Sequence, residues 1–128
     1  MATLIESLLA RDKLPQIPTK EIPNFVRYCQ GFGVPVKAVK LGVMKLRPIQ
    51  KHLNKDKVRS MVRSSAPYNI PLMVSNDNRI MDGHHRWAAE AVKNRDSKVT
   101  CLRFGCNIAR LVELGHTFDG SFRKGVAQ

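Results

Sequence analysis

The run Arg79-Ile80-Met81-Asp82-Gly83-His84-His85-Arg86-Trp87-Ala88 changes its hydrophobic period within two residues, and this narrows the possible architectures more than any other feature. Upstream, Leu72-Met73-Val74 and Arg79-Ile80-Met81 are short apolar runs separated by Asn76-Asp77-Asn78, and they read as the arms of a hairpin. Downstream, Trp87, Ala88, Ala91 and Val92 form a stripe at helical spacing. A strand must therefore turn directly into a helix at Asp82-Gly83, with glycine supplying the backbone freedom the turn needs. The architecture has to be mixed.

The flanking segments agree. Residues 1–14 predict a short helix stopped at Leu14-Pro15, and Pro15, Pro18 and Pro23 keep the next stretch extended or turning. A second helix runs through Phe25, Val26 and Cys29 to Gly31 and Gly33. Val34-Pro35-Val36 and Val43 to Ile49 read as short strands. Asn54 caps a helix from Lys55 to about Ser65 with Val58, Met61 and Val62 on its apolar face. Val99 to Phe104 is a last strand, and Ile108 to Leu114 a last helix closed by Gly115. The expected fold class is α+β, a compact domain with a small mixed sheet and packed helices. Residues 1–42 read as an N-terminal helical extension packed on a main domain of residues 43–128.

At 128 residues, 43% hydrophobic and 25% charged, the chain has material for one modest core. No apolar run is long enough to span a membrane, and Met1 to Leu14 lacks the order of a secretory signal, so a cytoplasmic protein is expected. Cys29, Cys101 and Cys106 are odd in number and show no CxxC spacing, which points to neither a disulfide framework nor a zinc ribbon. Charge is the unusual property. Lys and Arg number 22 against 10 acidic residues, a net charge of +12. From Lys37 to Arg63 nine basic residues meet a single acid, Asp56. Such a tract can follow a polyanion, and nucleic acid, with DNA favoured, is the expected partner.

Two constellations carry chemistry. At Asp82-Gly83-His84-His85-Arg86, a helix starting straight after a strand leaves unpaired backbone N–H groups at the positive end of its dipole. Gly83 permits close approach, Arg86 offers a fork for phosphate, and His85 offers a hydrogen bond or a proton. On the upstream helix Lys57, Ser60 and Ser64 stand at i, i+3 and i+7, one point charge and two hydroxyls along a line. Together they read as a seat for a chain of phosphates.

Leu46-Arg47-Pro48, Leu53 to Ser64, Pro71 to Val74 and Asp82-Gly83-His84-His85-Arg86-Trp87-Ala88-Ala89 resemble the ParB/sulfiredoxin superfamily over roughly residues 43–104. The resemblance implies an ATP site in which Lys57, Ser60, Ser64, His85 and Arg86 hold the nucleotide. It departs from sulfiredoxin at the reactive cysteine, replaced here by His84, so sulfinic acid reduction is not implied. Asp-Gly-His-His-Arg is similar to the turn of the superfamily's free-serine kinases. The acid those kinases carry after the first-strand proline is missing from Pro48-Ile49-Gln50-Lys51-His52. Partition-type ParB proteins show Gly-Glu-Arg-Arg at this turn and continue into a helix-turn-helix domain.

Two functions follow as expectations. The first is an ATP-dependent phosphotransferase (kinase) or ATPase acting on DNA or a DNA-linked hydroxyl, with Mg²⁺. In it Asp82 is the base or a magnesium ligand, His84 and His85 are candidates for proton transfer, and Arg86 and Lys57 neutralise the phosphoryl group. Gly83 lets the phosphates approach, and Arg47, Lys51 and Arg63 hold the anionic substrate. The alternative is a non-catalytic or nuclease-like ParB-type DNA-binding module.

Overall fold

The computed structural model describes residues 14–50, 53–63, 70–120 and 122–123, the last two by backbone alone. The helix expected over residues 1–14 lies almost wholly outside the described residues. In chain order the elements are β1 (Pro15–Gln16), α1 (Ile22–Gly31), β2 (Val36–Gly42), β3 (Arg47–Pro48), α2 (Lys55–Arg63), β4 (Leu72–Val74), β5 (Arg79–Asp82), α3 (His84–Lys93), β6 (Lys98–Phe104), α4 (Ile108–Thr117) and β7 (Phe122–Arg123). The architecture is α+β. A five-stranded mixed sheet has the order β2-β6-β4-β5-β3, and β1 pairs separately with β7.

The β4–β5 hairpin forms as the sequence indicates, antiparallel around a turn in which Asn78 adopts φ 66. β6 lies parallel to β4, Leu72 opposite Cys101, and β3 lies parallel to β5. Side chains alternate between the sheet's faces. Met73, Met81 and Phe104 join Leu14, Ile17, Phe25 and Cys29 with α4's Ile108, Leu111 and Leu114 in one core on one face. Leu72, Val74, Ile80 and Cys101 face the other way, under Leu46 and Trp87 of α3. The indole Nε1–H of Trp87 donates to Val43 O at 2.8 Å, tying α3 to the chain that leads into β3.

Several expectations are corrected. Strand β2 is not confined to Val34–Val36: Val36–Gly42 pairs antiparallel with Phe104–Lys98 along its length. It is an edge strand, and Lys37 and Lys40, which interrupt its apolar pattern, also discourage pairing with another chain. Val43–Lys45 forms a single 3-10 turn, which leaves only Arg47–Pro48 as strand. Residues 14–42 supply β2 of the central sheet and Phe25 and Cys29 of its core. Helix α4 continues through Gly115 to Thr117. A Cβ on Gly115 would stand 2.4 Å from Pro15 Cγ, so this glycine marks a close approach and not a stop. Val92 is 67% exposed, and Ala89 takes the buried place on α3. Among the described residues no helix is long and apolar enough to cross a membrane.

Candidate functional site

The start of α3 is built on Gly83, which has φ +107 and gives the helix no side-chain cap. The first intrahelical bond runs from Trp87 N–H to Gly83 O at 3.0 Å. The N–H groups of His84, His85 and Arg86 therefore precede the helical ladder, at the positive end of its dipole. A Cβ on Gly83 would meet Leu72 Cδ2 at 2.3 Å and Arg86 Nη2 at 2.9 Å. Glycine is required here by conformation and by space alike.

Both histidines are buried, and both use Nε2 as an acceptor. His84 Nε2 receives the backbone N–H of Ile49 at 2.9 Å and of Gln50 at 3.1 Å. His85 Nε2 receives the N–H of Asn54 at 3.1 Å. An accepting nitrogen carries no hydrogen, so His84 holds its proton on Nδ1. Burial, reinforced by neighbouring His85, pushes His84 down to about 3. It is neutral at physiological pH. The two rings thus pin Ile49, Gln50 and Asn54 to the start of α3.

Helix α2 begins at a cap that the sequence announces: Asn54 Oδ1 accepts the N–H of Lys57 at 3.0 Å. Asn54 also bonds His85, so the cap orients α2 against α3. A cavity of about 100 Å³ opens between them, walled by Lys57, Met61, Asp82, Gly83, His84, His85 and Arg86 with Gln16 and Gln50. Asp82 Oδ2 accepts the N–H of Ile17 at 3.1 Å, which fastens the segment after β1 across the end of β5. Burial raises the Asp82 carboxyl above its usual range. The Ile17 and Gly83 N–H groups and the charges of Arg86 and Lys57 pull the other way.

The structure brings together Lys57, Asp82, Gly83, His84, His85 and Arg86. Arg86 has a second duty: its Nη1 donates to Ile70 O at 2.6 Å and its Nη2 to Pro71 O at 3.4 Å, clamping the approach to β4. Ser60 is exposed and is not among the cavity walls, while Arg47 and Arg63 lie exposed at the ends of their elements. Ser64 and Lys51 fall outside the described residues. Sequence reasoning missed Gln16 and Gln50. Gln50 had a signal, since it follows Pro48 in the stretch where the serine kinases place an acid. Gln16, between Pro15 and Pro18, had none, because only the folded chain carries it to the cavity.

An anion suits this donor set: one ammonium, three helix-terminal N–H groups and a guanidinium. A magnesium ion accompanying a triphosphate would find one carboxylate here, Asp82. Among the described residues no group of three or more His, Cys, Asp or Glu side chains is arranged to hold a metal. Cys29, Cys101 and Cys106 are free thiols. Burial pushes Cys29 up to about 12 and Cys101 up to about 11, far from a reactive thiolate.

No family model matches the sequence, and no curated protein matches it. Among solved structures the chain is similar to the C2221 form of a Pnob8-like ParB-N domain, with a TM-score of 0.48 and 14% identity. The likeness covers 65% of this chain and 35% of that one, so the chain spans about a third of the length of the structure it matches.

Proposed function

We propose that the domain is a nucleic-acid-associated binding module that takes the phosphates of a nucleotide in the cavity at the start of α3. The observation that carries this reading is the meeting of Lys57 with the uncapped N-terminus of α3 in one cavity, brought about by Gly83 at φ +107. Backbone N–H groups and a helix dipole favour an anion, and an ammonium opposite adds a point charge. His84 works as a positioning residue in this reading. Neutral and buried, it holds Ile49 and Gln50 so that α2 starts where Lys57 can reach the cavity. Lys37, Lys40, Lys45, Arg47, Lys55, Arg59 and Arg63 are all exposed, and a surface of this kind binds a phosphodiester backbone without reading its bases.

A second reading, phosphotransfer to a hydroxyl, is favoured by Asp82. Its carboxyl stands in the same cavity with a proton affinity raised by burial, the direction that suits a general base. Asp82 would take the proton of an acceptor hydroxyl while Lys57 and the α3 N–H groups hold the phosphate charge. Bound magnesium would supply further charge neutralisation.

Calorimetric titration with magnesium-ATP and with tripolyphosphate, alone and beside a DNA duplex, separates these readings. The module predicts binding that Lys57→Ala weakens, salt-sensitive DNA affinity and no turnover. A phosphorylated product that disappears in Asp82→Asn transfers the conclusion to the kinase. Failure of the wild-type protein to bind either phosphate compound removes both readings.

A further inference from the structure

Beyond Arg86 lies a second cavity, of about 200 Å³ against about 100 Å³ for the first. Leu72, Val99, Glu90, Lys98 and Thr100 wall it together with Arg86, which is common to both. Its origin is topological. Strand β4 starts at Leu72 opposite Cys101, so Lys98, Val99 and Thr100 of β6 run on past the end of their parallel neighbour. The gap is roofed by α3, where Arg86 and Glu90 stand one turn apart on the same face. Ile70, 37% exposed, forms the remaining edge. Arg86 is fixed as the partition by its bonds to Ile70 O and Pro71 O.

The chemistry of this second cavity differs from the first. Leu72, Val99 and Ile70 offer apolar surface suited to the face of a ring, while the Glu90 carboxylate can only accept hydrogen bonds. Glu90 is half-buried, and its contact with Lys93 spans 3.9 Å, longer than a hydrogen bond. Thr100 and Lys98 stand exposed at the rim and can meet a ring nitrogen or a carbonyl. A flat ligand with apolar faces and an N–H donor on its edge fits these walls, and an anionic group attached to it would fall across Arg86 into the first cavity.

We infer that the second cavity receives the base of a nucleotide whose phosphates occupy the first, and that Glu90 selects bases bearing an exocyclic amine. The inference rests on the phosphate reading above and adds the ligand's other half. Adenine, cytosine and guanine have such an amine. Uracil and hypoxanthine carry a carbonyl in its place, with their N–H on the neighbouring ring nitrogen, so a carboxylate aimed at the amine position meets an acceptor instead of a donor.

ATP and ITP share sugar, phosphates and ring size and differ only along the C6–N1 edge, an amine beside a bare N1 against a carbonyl beside an N1–H, so calorimetry with ATP, ITP and tripolyphosphate tests the assignment. ATP is expected to bind about tenfold more tightly than ITP, the scale of one hydrogen bond to a charged group. In Glu90→Gln the ratio should fall to about one, because an amide both donates and accepts. In the wild-type protein the backbone amide resonances of Val99 and Thr100 should shift with ATP and stay still with tripolyphosphate. Equal affinities for ATP and ITP, or silent Val99 and Thr100, overturn the base pocket while leaving the phosphate site standing. A discrimination that survives Glu90→Gln removes Glu90 from the assignment. If none of the three compounds binds, the phosphate reading fails and this one falls with it.

Discussion

Helices α3 and α2 face each other across the candidate site on opposite structural terms. His84, His85 and Ala89 of α3 are buried, and its leading Gly83 has no room for a methyl group. Helix α2 has no buried residue; it is held at its start by the Asn54 cap and the bond from Asn54 to His85, and its Val58, Met61 and Val62 are half-buried. The rigid helix fixes where the N–H groups point. The other helix, with no residue fully buried, brings the charge of Lys57. Substitutions at the start of α3 should therefore be read mainly as lost stability, and substitutions on α2 mainly as lost binding.

The largest effect is expected at Gly83. Gly83→Ala combines a strained left-handed backbone with a Cβ 2.3 Å from Leu72 Cδ2, and these should together cost about 3 kcal/mol or more. A urea unfolding midpoint measures it. A variant that unfolds like the wild type would show that the turn can open, and the rigid half of the comparison would be lost.

His84→Phe comes next. It keeps the ring and removes the acceptor, leaving the buried N–H groups of Ile49 and Gln50 without their partner, a cost of about 2 to 4 kcal/mol. The same residue gives the fold a pH dependence of definite sign. His84 sits at about 3 when folded against 6.5 ordinarily, so as pH falls the unfolded chain takes up the proton first. Its contribution is complete above about 6.5 and drains away toward 3, by at most about 1.4 kcal/mol per pH unit. Asp82 works in the opposite sense. With its folded affinity raised, its protonation favours the folded state and offsets part of that loss as pH approaches 3.8 from above. Unfolding midpoints measured between pH 7 and pH 4 should show a weaker slope in His84→Phe than in the wild type. Equal slopes would mean that His84 is not held neutral.

Lys57→Ala should reverse the balance. Phosphate affinity is expected to drop about tenfold, the worth of one charge-assisted contact, while stability moves by less than about 0.5 kcal/mol. Calorimetry and thermal unfolding of the same preparation check both halves. A large loss of stability would mean that α2 belongs to the framework after all.

This contrast also explains how much could be read from the chain itself. The period change at Asp82-Gly83 announced the hairpin, the turn and α3, because each was written locally in apolar spacing and in glycine. The Asn54 cap was equally local. β2 was largely missed, because an edge strand bears lysines that hide its alternation. Gly115 looked like a helix stop, since nothing nearby in sequence shows that Pro15 leans against it. At the site, the residues on α3 and Lys57 were legible from helical geometry. Gln16 was not, because the Ile17–Asp82 contact that positions it joins residues far apart in sequence. Nor was the engagement of both histidines by the backbone N–H groups of Ile49 and Asn54, more than thirty residues away in sequence.

The smallest effect is expected at Ser60, and it gives the sharpest test of which face α2 turns to the ligand. A stripe of Lys57, Ser60 and Ser64 would present a hydroxyl to the phosphates, but the ridge lining the cavity is Lys57 with Met61. Successive helical positions are rotated by roughly 100°. Met61 facing the cavity therefore carries Ser60 to the side, where it is exposed. Ser60→Ala should change phosphate affinity by less than about twofold and stability by less than about 0.5 kcal/mol. A tenfold loss of affinity with unchanged stability would require α2 to rotate about its axis when the ligand enters. A helix without a single buried residue could do that, and α3 could not.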